Sequence, residues 1–353
     1  MTAAFEAFHL TGSTPEEMAE LLSEPPRLGR QIFTWIHRKR VFNCSAMTDL
    51  PLQLRNRLNA QETLFALKVI EKKQSKQNGT CKLLLECGDG ELIESVLLRH
   101  KDRLTFCLSS QAGCALNCSF CATGQSGFRR SLSAAEMVEQ ALHLACAGNL
   151  QSNSTPNLVY MGMGEPFQNY DAVMKSIALL MNPLGMGIGA RKITISTAGD
   201  IPGIDRLAEE PRQLRLSVSL HAAHDDLRSA LVPLNKKYPL QDLHDALQRY
   251  QNRRGRQITI EWTLLENTND SPEEALRLVS FLKGLDAVVN VIPWNPVSGL
   301  PFTPSPQKRQ DRFMSVLEHA GITATLRQER GGDIDAACGQ LRMRRNRSFR
   351  EKS

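Results

Sequence analysis

Strand-like and helix-like segments alternate along most of this 353-residue chain, and this alternation limits the folds it can adopt. Each short run of β-branched and other apolar residues is followed by a stretch with the apolar spacing of a helix. The predicted strands are 104–109, 157–161, 192–196, 214–220, 257–264, 288–292 and 323–327. Because repeated strand-then-helix units build parallel sheets, the sequence predicts an α/β fold, with its sheet curled into a partial or full (β/α) barrel.

Two smaller units are predicted before this region. Thr14-Pro15-Glu16-Glu17 has the N-cap, N1 proline and capping-box Glu of a helix start, and apolar spacing predicts further helices over 29–40 and 51–58. From 67 to 98 the pattern becomes alternating, and Gly88-Asp89-Gly90 predicts a hairpin turn. We therefore divide the chain into a helical accessory domain (1–64), a β-hairpin linker (65–100), a barrel core (101–342) and a basic tail (343–353).

The composition is typical of a cytoplasmic enzyme. Apolar residues make up 41% of the chain, no apolar run is long enough to cross a bilayer, and the start lacks the pattern of a secretory signal. Nine cysteines in such a chain indicate metal or redox chemistry rather than a disulfide framework. We expect a cytoplasmic monomer that does not contact membranes.

Basic residues are clustered rather than evenly spread. The chain has 43 Lys and Arg against 37 Asp and Glu, a formal charge of +6. Clusters lie in the accessory domain (Arg27, Arg30, Arg38, Lys39, Arg40, Arg55, Arg57), after it (Lys68, Lys72, Lys73, Lys76) and in the tail (Arg342, Arg344, Arg345, Arg347, Arg350). Such clusters suit a phosphate backbone, although a solvated face explains the charge equally well.

Three cysteines, Cys114, Cys118 and Cys121, follow the first predicted barrel strand. No fourth cysteine comes close behind, so a four-iron cluster held here leaves one iron without a protein ligand. Structural zinc prefers four ligands in paired C-x2-C knuckles and fits this spacing poorly, and an incidental group of buried thiols is the other alternative. An open iron can bind the amino and carboxylate groups of S-adenosylmethionine, and the C-x3-C-x2-C spacing resembles the signature of the radical SAM superfamily.

Further candidate binding residues follow later predicted strands. Glycines let a ligand approach the backbone and Glu165 can receive an ammonium group, so Gly162-Met163-Gly164-Glu165 resembles the element that holds the amino group of S-adenosylmethionine. A tight turn is the alternative. Residues at other strand ends are candidates for the carboxylate, ribose and adenine of the same cofactor, although each alone is more often an ordinary loop residue: Ser196, Ser219, Leu220, His221 and Asn295.

Several longer strings together resemble the RlmN/Cfr family of radical SAM adenosine methyltransferases, over roughly residues 14 to 341. They are Ser109-Ser110-Gln111-Ala112-Gly113-Cys114, Gly162 to Pro166, Leu231 to Pro239, Ile292-Pro293-Trp294-Asn295-Pro296 and Gly331 to Leu341. The resemblance implies a radical SAM barrel with a 4Fe-4S cluster on Cys114, Cys118 and Cys121. It also implies S-adenosyl-L-methionine as cofactor, an RNA substrate gripped by the N-terminal domain, and an electron donor such as flavodoxin or ferredoxin.

The family's mechanism implies roles for three more residues. Two molecules of S-adenosylmethionine are used per turnover: one methylates the thiolate of Cys338, and the other gives a 5′-deoxyadenosyl radical that activates this methyl for addition to adenine. Glu94 matches the family's proton acceptor. Cys107 matches the resolving thiol, whose transient disulfide with Cys338 releases the methylated base. Without the resemblance, an ordinary strand thiol and an ordinary loop thiol are the more frequent explanations of Cys107 and Cys338.

The string Asp333-Ile334-Asp335, after Arg330-Gly331, is closer to the branch that methylates carbon 2 of adenosine. Gly332 stands where the first Asp of that branch's Arg-Gly-Asp-Asp pattern would be. We expect carbon 2 of an adenosine in 23S rRNA, with tRNA as a further candidate substrate. Carbon 8, linked to antibiotic resistance, is the alternative. A radical SAM enzyme acting on a small molecule and an RNA-binding protein with a structural metal remain open, but the first does not need paired Cys107 and Cys338, and the second does not need the Gly-Glu pocket.

Overall fold

The computed structural model describes residues 9–60, 64–100, 103–151, 154–327, 331–336 and 339–341. A helical module precedes the sheet and consists of α1 (Pro15–Leu22), α2 (Pro26–Phe33) and α3 (Leu52–Asn59). The predicted capping box is confirmed, since the Glu17 backbone N–H donates to Thr14 Oγ1 and the Thr14 N–H donates to the Glu17 carboxylate. The helix predicted over 29–40 is present with shifted ends: it begins at Pro26, where the fixed φ of proline suits a first turn, and it ends in a π-helical turn over Thr34–Arg38.

A ten-stranded sheet forms the body of the protein. The strands are β1 (Leu67–Gln74), β2 (Cys81–Cys87), β3 (Leu92–His100), β4 (Arg103–Cys107), β5 (Gln111–Gly113), β6 (Phe128–Ser131), β7 (Asn157–Tyr160), β8 (Ile193–Thr197), β9 (Arg215–Ser219), β10 (Ile258–Leu264), β11 (Ala287–Pro293) and β12 (Ala324–Leu326). The sheet order is β1-β2-β3-β4-β7-β8-β9-β10-β11-β12, whereas β5 and β6 form a separate hairpin. From β4 to β12 neighbouring strands are parallel, and from β1 to β4 they are antiparallel.

Helices connect the parallel strands, which confirms the predicted α/β fold. They are α4 (Ala122–Gln125), α5 (Ala134–Ala147), α6 (Tyr170–Met181), α7 (Ile201–Glu209), α8 (Asp225–Leu231), α9 (Leu240–Arg254), α10 (Pro272–Phe281) and α11 (Gln307–His319). Ser133 begins α5 with a full capping box, and Ser271 caps α10 by accepting the Glu274 N–H. Within the described ranges, no helix has the length and apolar character needed to cross a membrane.

The sheet is open, so the partial form of the predicted barrel is the one present. In the described part of the chain, the edge strands β1 and β12 do not pair with each other. The ends of distant strands nevertheless meet, since Trp294 after β11 donates its Nε1–H to the backbone oxygen of Phe120, in the loop after β5, over 3.0 Å. The hairpin expected as a linker is part of this sheet, since β3 pairs with β4.

The strands β8 to β11 have one apolar face and one polar face. The apolar face is buried in the core that the strands share with the helices: Ile193, Ile195, Leu216, Val218, Ile258, Ile260, Val289 and Val291. On the other face, Ser217 Oγ and Asn290 Nδ2 both donate to Glu261 Oε1, over 3.0 and 3.1 Å. Buried parallel strands are usually apolar on both faces, so this polar inner face indicates a binding site inside the curl.

Candidate active site

The three clustered cysteines lie in the loop between β5 and α4. The loop is held to distant segments by three hydrogen bonds: Ser119 N to Leu231 O (3.0 Å), Ala122 N to Gly339 O (2.8 Å) and Trp294 Nε1 to Phe120 O (3.0 Å). All three thiols are half-buried and pack against an apolar cluster that includes Leu116, Phe120 and Trp294. The loop is therefore fixed from several sides.

The pKa values of the Cys114 and Cys118 thiols are raised strongly, which favours their neutral forms. Burial raises the pKa of Cys114 to about 12, with smaller contributions from the charges of Cys121 and Glu165. Burial also raises the pKa of Cys118 well above its usual value, and the charges of Cys121, Cys114 and Glu165 add to this. The three sulfurs and Glu165 thus share one electrostatic environment, in which a bound metal would displace the thiol protons.

The Gly-Glu loop after β7 packs onto the segment that follows β4. Met163 O accepts the N–H groups of Ser110 (2.8 Å) and Gln111 (3.1 Å). A Cβ at Gly162 would lie 2.7 Å from Leu108 O, and one at Gly164, whose φ is +98°, would lie 2.5 Å from Gln111 Cβ. Both glycines therefore allow this close approach between the two segments, and their contact with a ligand stays a prediction.

Glu165 is 3% exposed and joins two loops of the site. Its Oε2 accepts the Ala198 N–H over 2.9 Å, and its Oε1 accepts the Phe167 N–H over 3.2 Å. Burial raises the pKa of Glu165 to about 7 despite these hydrogen bonds. A buried carboxylate of this kind would be stabilised by a cationic ligand, as expected for a residue that receives an ammonium group.

His221 lies beyond the end of β9 in a left-handed conformation, with φ at +61°. Its Nδ1 accepts the Thr263 N–H over 3.0 Å, so the proton of the neutral ring is on Nε2. Burial and then the charge of Arg228 lower the pKa of His221 to about 3, and its ring makes an edge contact with Phe120. His221 is therefore a neutral residue with only Nε2 left to donate to a ligand.

The other predicted cofactor residues lie on neighbouring strand ends. Ser196 is buried near the end of β8, Ser219 is half-buried at the end of β9, and Asn295 is buried after β11. Leu220 is fully buried, and its N–H donates to Glu261 O over 3.1 Å. These positions lie along the same edge of the sheet as the cysteine loop, because the strands are parallel.

A second group of buried polar residues lies on the antiparallel part of the sheet. Lys82 Nζ is 3.1 Å from Glu94 Oε1, and both side chains are less than 5% exposed. Lys82 Nζ also donates to Asp335 O over 2.8 Å. Val96 of β3 is paired with Lys82 of β2 and with Cys107 of β4, so these side chains lie on one face of the sheet. Glu94 precedes Val96 by two residues on the same strand and lies on that face as well.

The remaining predicted site residue, Cys338, lies outside the described residues. Its flanks are described on both sides: Asp335 contacts Lys82, and Gly339 accepts the N–H of Ala122 next to Cys121. The eight described cysteines form no disulfide with one another.

Known proteins match this chain over nearly its whole length. Residues 9–64 match the ribosomal RNA large subunit methyltransferase N-terminal domain, and residues 108–279 match the radical SAM superfamily. A probable dual-specificity RNA methyltransferase RlmN from Moorella thermoacetica is 46% identical over 341 residues, which are 94% of this chain and 96% of the relative. The chain belongs to the RlmN family of radical SAM RNA methyltransferases.

Other relatives agree with this assignment. The RlmN of Heliobacterium modesticaldum, named in the same way, is 45% identical over 94% of this chain and 89% of its own. The crystal structure of a radical SAM methyltransferase from Sphaerobacter thermophilus is 46% identical, with a TM-score of 0.92 over 95% of this chain and 99% of that chain. The resemblance noted in the sequence is confirmed, and the chain is a radical SAM RNA methyltransferase.

RlmN proteins, as radical SAM enzymes, use a 4Fe-4S cluster and S-adenosylmethionine, and the residues described here fit both groups. Within the described ranges, no three His, Cys, Asp or Glu side chains are spaced as ligands of one ion. A four-iron cluster does not require that spacing, because each thiolate binds a different iron. Three coupled thiols and the buried Glu165 beside them match this cofactor pair.

Two buried charged residues of this RlmN site were missed in the sequence. Glu261 is 5% exposed on the polar inner face, and Arg228 is 1% exposed on α8. Glu261 had a signal, since it is the one charged residue of the strand Ile258–Leu264. No sequence signal indicated that Arg228 is buried, because an arginine after Asp225-Asp226-Leu227 has the pattern of an exposed helix face.

Proposed function

We propose that this protein methylates carbon 2 of an adenosine in 23S rRNA, and of an adenosine in tRNA, in the cytoplasm. Two findings support an RNA of this kind as substrate. The relatives are named dual-specificity RNA methyltransferases, and the family that matches residues 9–64 is described by ribosomal RNA of the large subunit. The string Asp333-Ile334-Asp335 supports carbon 2 rather than carbon 8.

In this proposal the loop of Cys114, Cys118 and Cys121 holds the cluster, and Glu165 receives the ammonium group of S-adenosylmethionine. When bound and reduced by a flavodoxin or ferredoxin, the cluster supplies the electron that breaks a carbon–sulfur bond of S-adenosylmethionine. Residues along the strand ends then bind the rest of this cofactor: Gly164, Ser196, Ser219, Leu220, His221 and Asn295.

Three residues then carry the methyl transfer. The thiolate of Cys338 takes a methyl group from one S-adenosylmethionine, and this methyl carbon becomes bonded to the adenine after a second molecule activates it. Glu94 accepts the proton that leaves the substituted ring carbon. After the unpaired electron of the adduct has passed to a one-electron acceptor, the thiolate of Cys107 attacks the sulfur of Cys338 and forms a transient disulfide. The carbon–sulfur bond breaks, its electron pair stays on the carbon, and this carbon takes a proton to become the methyl group of the released base.

One observation carries this proposal: the described residues before and after Cys338 are hydrogen-bonded to different parts of the site, one to the Lys82–Glu94 pair and the other to the cysteine loop. On one side Asp335 O accepts from Lys82, the partner of Glu94. On the other side Gly339 O accepts from Ala122, next to Cys121. These two contacts support a role for Cys338 that connects the proton acceptor Glu94 with the cluster loop.

RNA binding is assigned to the N-terminal module. Arg27, Arg30 and Arg38 are exposed on or beside α2, and Lys39 lies 3.3 Å from the centre of the Trp35 ring. Exposed cations with an aromatic residue among them suit a phosphate backbone with accessible bases.

The test uses a strain from which the gene is deleted, complemented with the wild type, Cys338→Ala, Cys107→Ala or Cys146→Ala. Mass mapping of 23S rRNA and tRNA should show 2-methyladenosine with the wild type and with Cys146→Ala, whose thiol is exposed on α5. Cys338→Ala should give none. Cys107→Ala should give protein covalently bound to RNA, because the crosslink is not resolved.

Two outcomes would count against the proposal. Methylation at carbon 8 would contradict the assigned ring position while leaving the methyl-cysteine route in place. Normal methylation by Cys338→Ala would contradict that route.

A further inference from the structure

Arg228 is a buried cation without a carboxylate in contact. It is 1% exposed on α8, and in the described part of the chain no Asp or Glu oxygen lies within ion-pair distance of it. Its Nη2 donates to Ala198 O over 2.6 Å and its Nη1 to Asn235 Oδ1 over 2.8 Å. Its buried Nε has no hydrogen-bond partner within the same residues. Buried charges are normally paired, so this guanidinium lacks an anion.

The carboxylate of Asp225, whose charge acts on Arg228, already accepts hydrogen bonds from other groups. Asp225 Oδ1 accepts from Asn235 Nδ2 and from the Leu240 N–H, both over 2.9 Å. Asp225 is therefore linked to Arg228 through the amide of Asn235, and its charge still acts on the guanidinium over this distance.

Arg228 faces the cysteine loop. The helix that carries it ends at Leu231, whose oxygen accepts the Ser119 N–H next to Cys118. Leu231 of the same helix also lies in the apolar cluster against which Cys114, Cys118 and Cys121 pack. Burial lowers the pKa of Arg228 to about 10, so it is still charged at neutral pH.

One residue, Ala198, connects Arg228 to Glu165 through its backbone. The Ala198 oxygen accepts from Arg228, while the Ala198 N–H donates to Glu165. The guanidinium is thus held by fixed partners beside the thiols. A purely structural clamp does not require a charge here, since a buried ion usually costs more than an apolar side chain of similar volume.

We propose that Arg228 is the counter-charge of the iron–sulfur cluster and raises its reduction potential. On reduction the cluster takes one electron from an external one-electron reductant, and no bond to Arg228 forms or breaks. The added negative charge is stabilised by a fixed cation in a medium of low dielectric constant, so reduction becomes easier. This inference rests on the cluster alone and does not depend on which carbon of adenosine is methylated.

The experiment is a redox titration of the anaerobically reconstituted holoenzyme, with dithionite as reductant and the electron paramagnetic resonance signal of the reduced cluster as readout. For Arg228→Gln we expect the ratio of reduced to oxidised cluster at a fixed potential to fall at least tenfold, which is a midpoint about 59 mV lower for one electron. Arg228→Lys keeps the charge and should stay within about threefold of the wild type.

Two further variants separate charge from structure. Arg249→Gln removes a cation that pairs with Asp205 on the outer helices, and it should leave the midpoint unchanged. Asp225→Asn removes the carboxylate that reaches Arg228 through Asn235, and it should shift the midpoint upward, opposite to Arg228→Gln. The proposal is overturned if Arg228→Gln has the iron content of the wild type and its cluster has the same midpoint potential as the wild type. If that variant does not retain its cluster, an unchanged midpoint in Asp225→Asn overturns it.

Discussion

At the scale of single residues, the site is distinguished by charges buried within the sheet and its loops. Glu94 is paired with Lys82, Glu165 is held by backbone N–H groups, and Arg228 is held by carbonyl oxygens. Because a charge inside a protein costs several kcal/mol unless it is compensated, each of these groups is sensitive to the loss of one partner.

Replacing Lys82 by Met should reduce both stability and methyl transfer. The change leaves Glu94 buried without its cation, and breaking a buried ion pair in this way typically costs about 3–5 kcal/mol of unfolding free energy. Glu94 also loses the contact that fixes its position, so we expect the rate of adenosine methylation to fall at least about tenfold. Urea unfolding and single-turnover methylation of an RNA fragment measure the two effects.

Lys73→Met is the matched control, because Lys73 lies on β1 and faces Glu71 across 3.6 Å at the surface. Exposed pairs contribute at most about 1 kcal/mol, so both readouts should stay close to the wild type. In the double variant Lys82→Met/Glu94→Gln, part of the lost stability should return. A Lys82→Met protein with wild-type stability and rate would show that the pair has neither role.

Residues that belong to short local patterns could be predicted from the sequence. The spacing of Cys114, Cys118 and Cys121 and the Gly-Glu string around Glu165 both fall within a few residues, so their chemistry is visible without a fold. Arg228 could not be predicted, because its burial arises from α8 lying against the cysteine loop. The packing role of Gly162 and Gly164 could not be predicted for the same reason, since Leu108 and Gln111 approach them only in the folded sheet.

At the scale of elements, α5 fastens the N-terminal module to the sheet through Glu139. This fully buried carboxylate accepts from Thr11 Oγ1 (2.6 Å), Ala66 N (2.7 Å) and Leu67 N (2.8 Å). Thr11 precedes α1, and Leu67 begins β1. One side chain therefore joins three segments of the chain.

This junction should make stability depend on pH. Burial raises the pKa of Glu139 to about 7 from its ordinary 4.5, against the effect of its hydrogen bonds. Between these values the folded protein keeps a proton that the unfolded chain releases, so the free energy of unfolding falls as pH rises through this window. The full effect is about 3 kcal/mol. In Glu139→Gln this contribution should be absent.

Urea unfolding of the anaerobic holoenzyme between pH 5.5 and 8 measures the difference between the wild type and Glu139→Gln. The amide also disturbs the hydrogen bonds of Glu139, but that cost does not change with pH, so the slope is the informative quantity. Glu20→Gln removes a carboxylate at an exposed position of α1 and serves as control. Equal slopes for the wild type and Glu139→Gln would contradict the prediction.

Most helices and strands were predictable because caps and apolar spacing are local. The sequence did not reveal that β1 to β3 belong to the same sheet as the parallel strands, which they join through the antiparallel pairing of β3 and β4. Nor did it reveal the β5–β6 hairpin that precedes and follows the cysteine loop. Both features depend on which strands pair with each other, and a local sequence pattern predicts a strand but not its partner.

At the scale of the whole molecule, exposed cations of the N-terminal module should set RNA affinity. Replacing Arg27, Arg30 and Arg38 together by Gln should weaken RNA binding at low salt by at least about tenfold. The slope of log affinity against log salt should also become shallower by about one for each phosphate contact that is lost. Filter binding across a range of salt concentrations measures both.

The matched control replaces Arg249 and Arg253, which pair with Asp205 and Glu209 on the outer helices, by Gln. Its salt dependence should equal that of the wild type. If RNA affinity fell in the Arg249 and Arg253 variant and not in the Arg27, Arg30 and Arg38 variant, the RNA-binding surface would not lie on the N-terminal module.

Whether the barrel was full or partial could not be decided from the sequence, because closure depends on two strands far apart in the chain. In the described residues the gap between β12 and β1 is bridged by side chains and loops rather than by strand pairing. Lys82 of β2 binds Asp335 O, and Thr123 of α4 donates to Leu341 O over 2.5 Å.

This late bridging has a consequence during synthesis on the ribosome. A nascent polypeptide that has emerged only as far as β12 already carries the three cluster thiols, Glu165 and Arg228. It does not yet carry Asp335 or Gly339, which are anchored against Lys82 and Ala122. The segments proposed to hold the cluster and S-adenosylmethionine and the segment that carries Cys338 are therefore completed at different moments of translation, with the latter last.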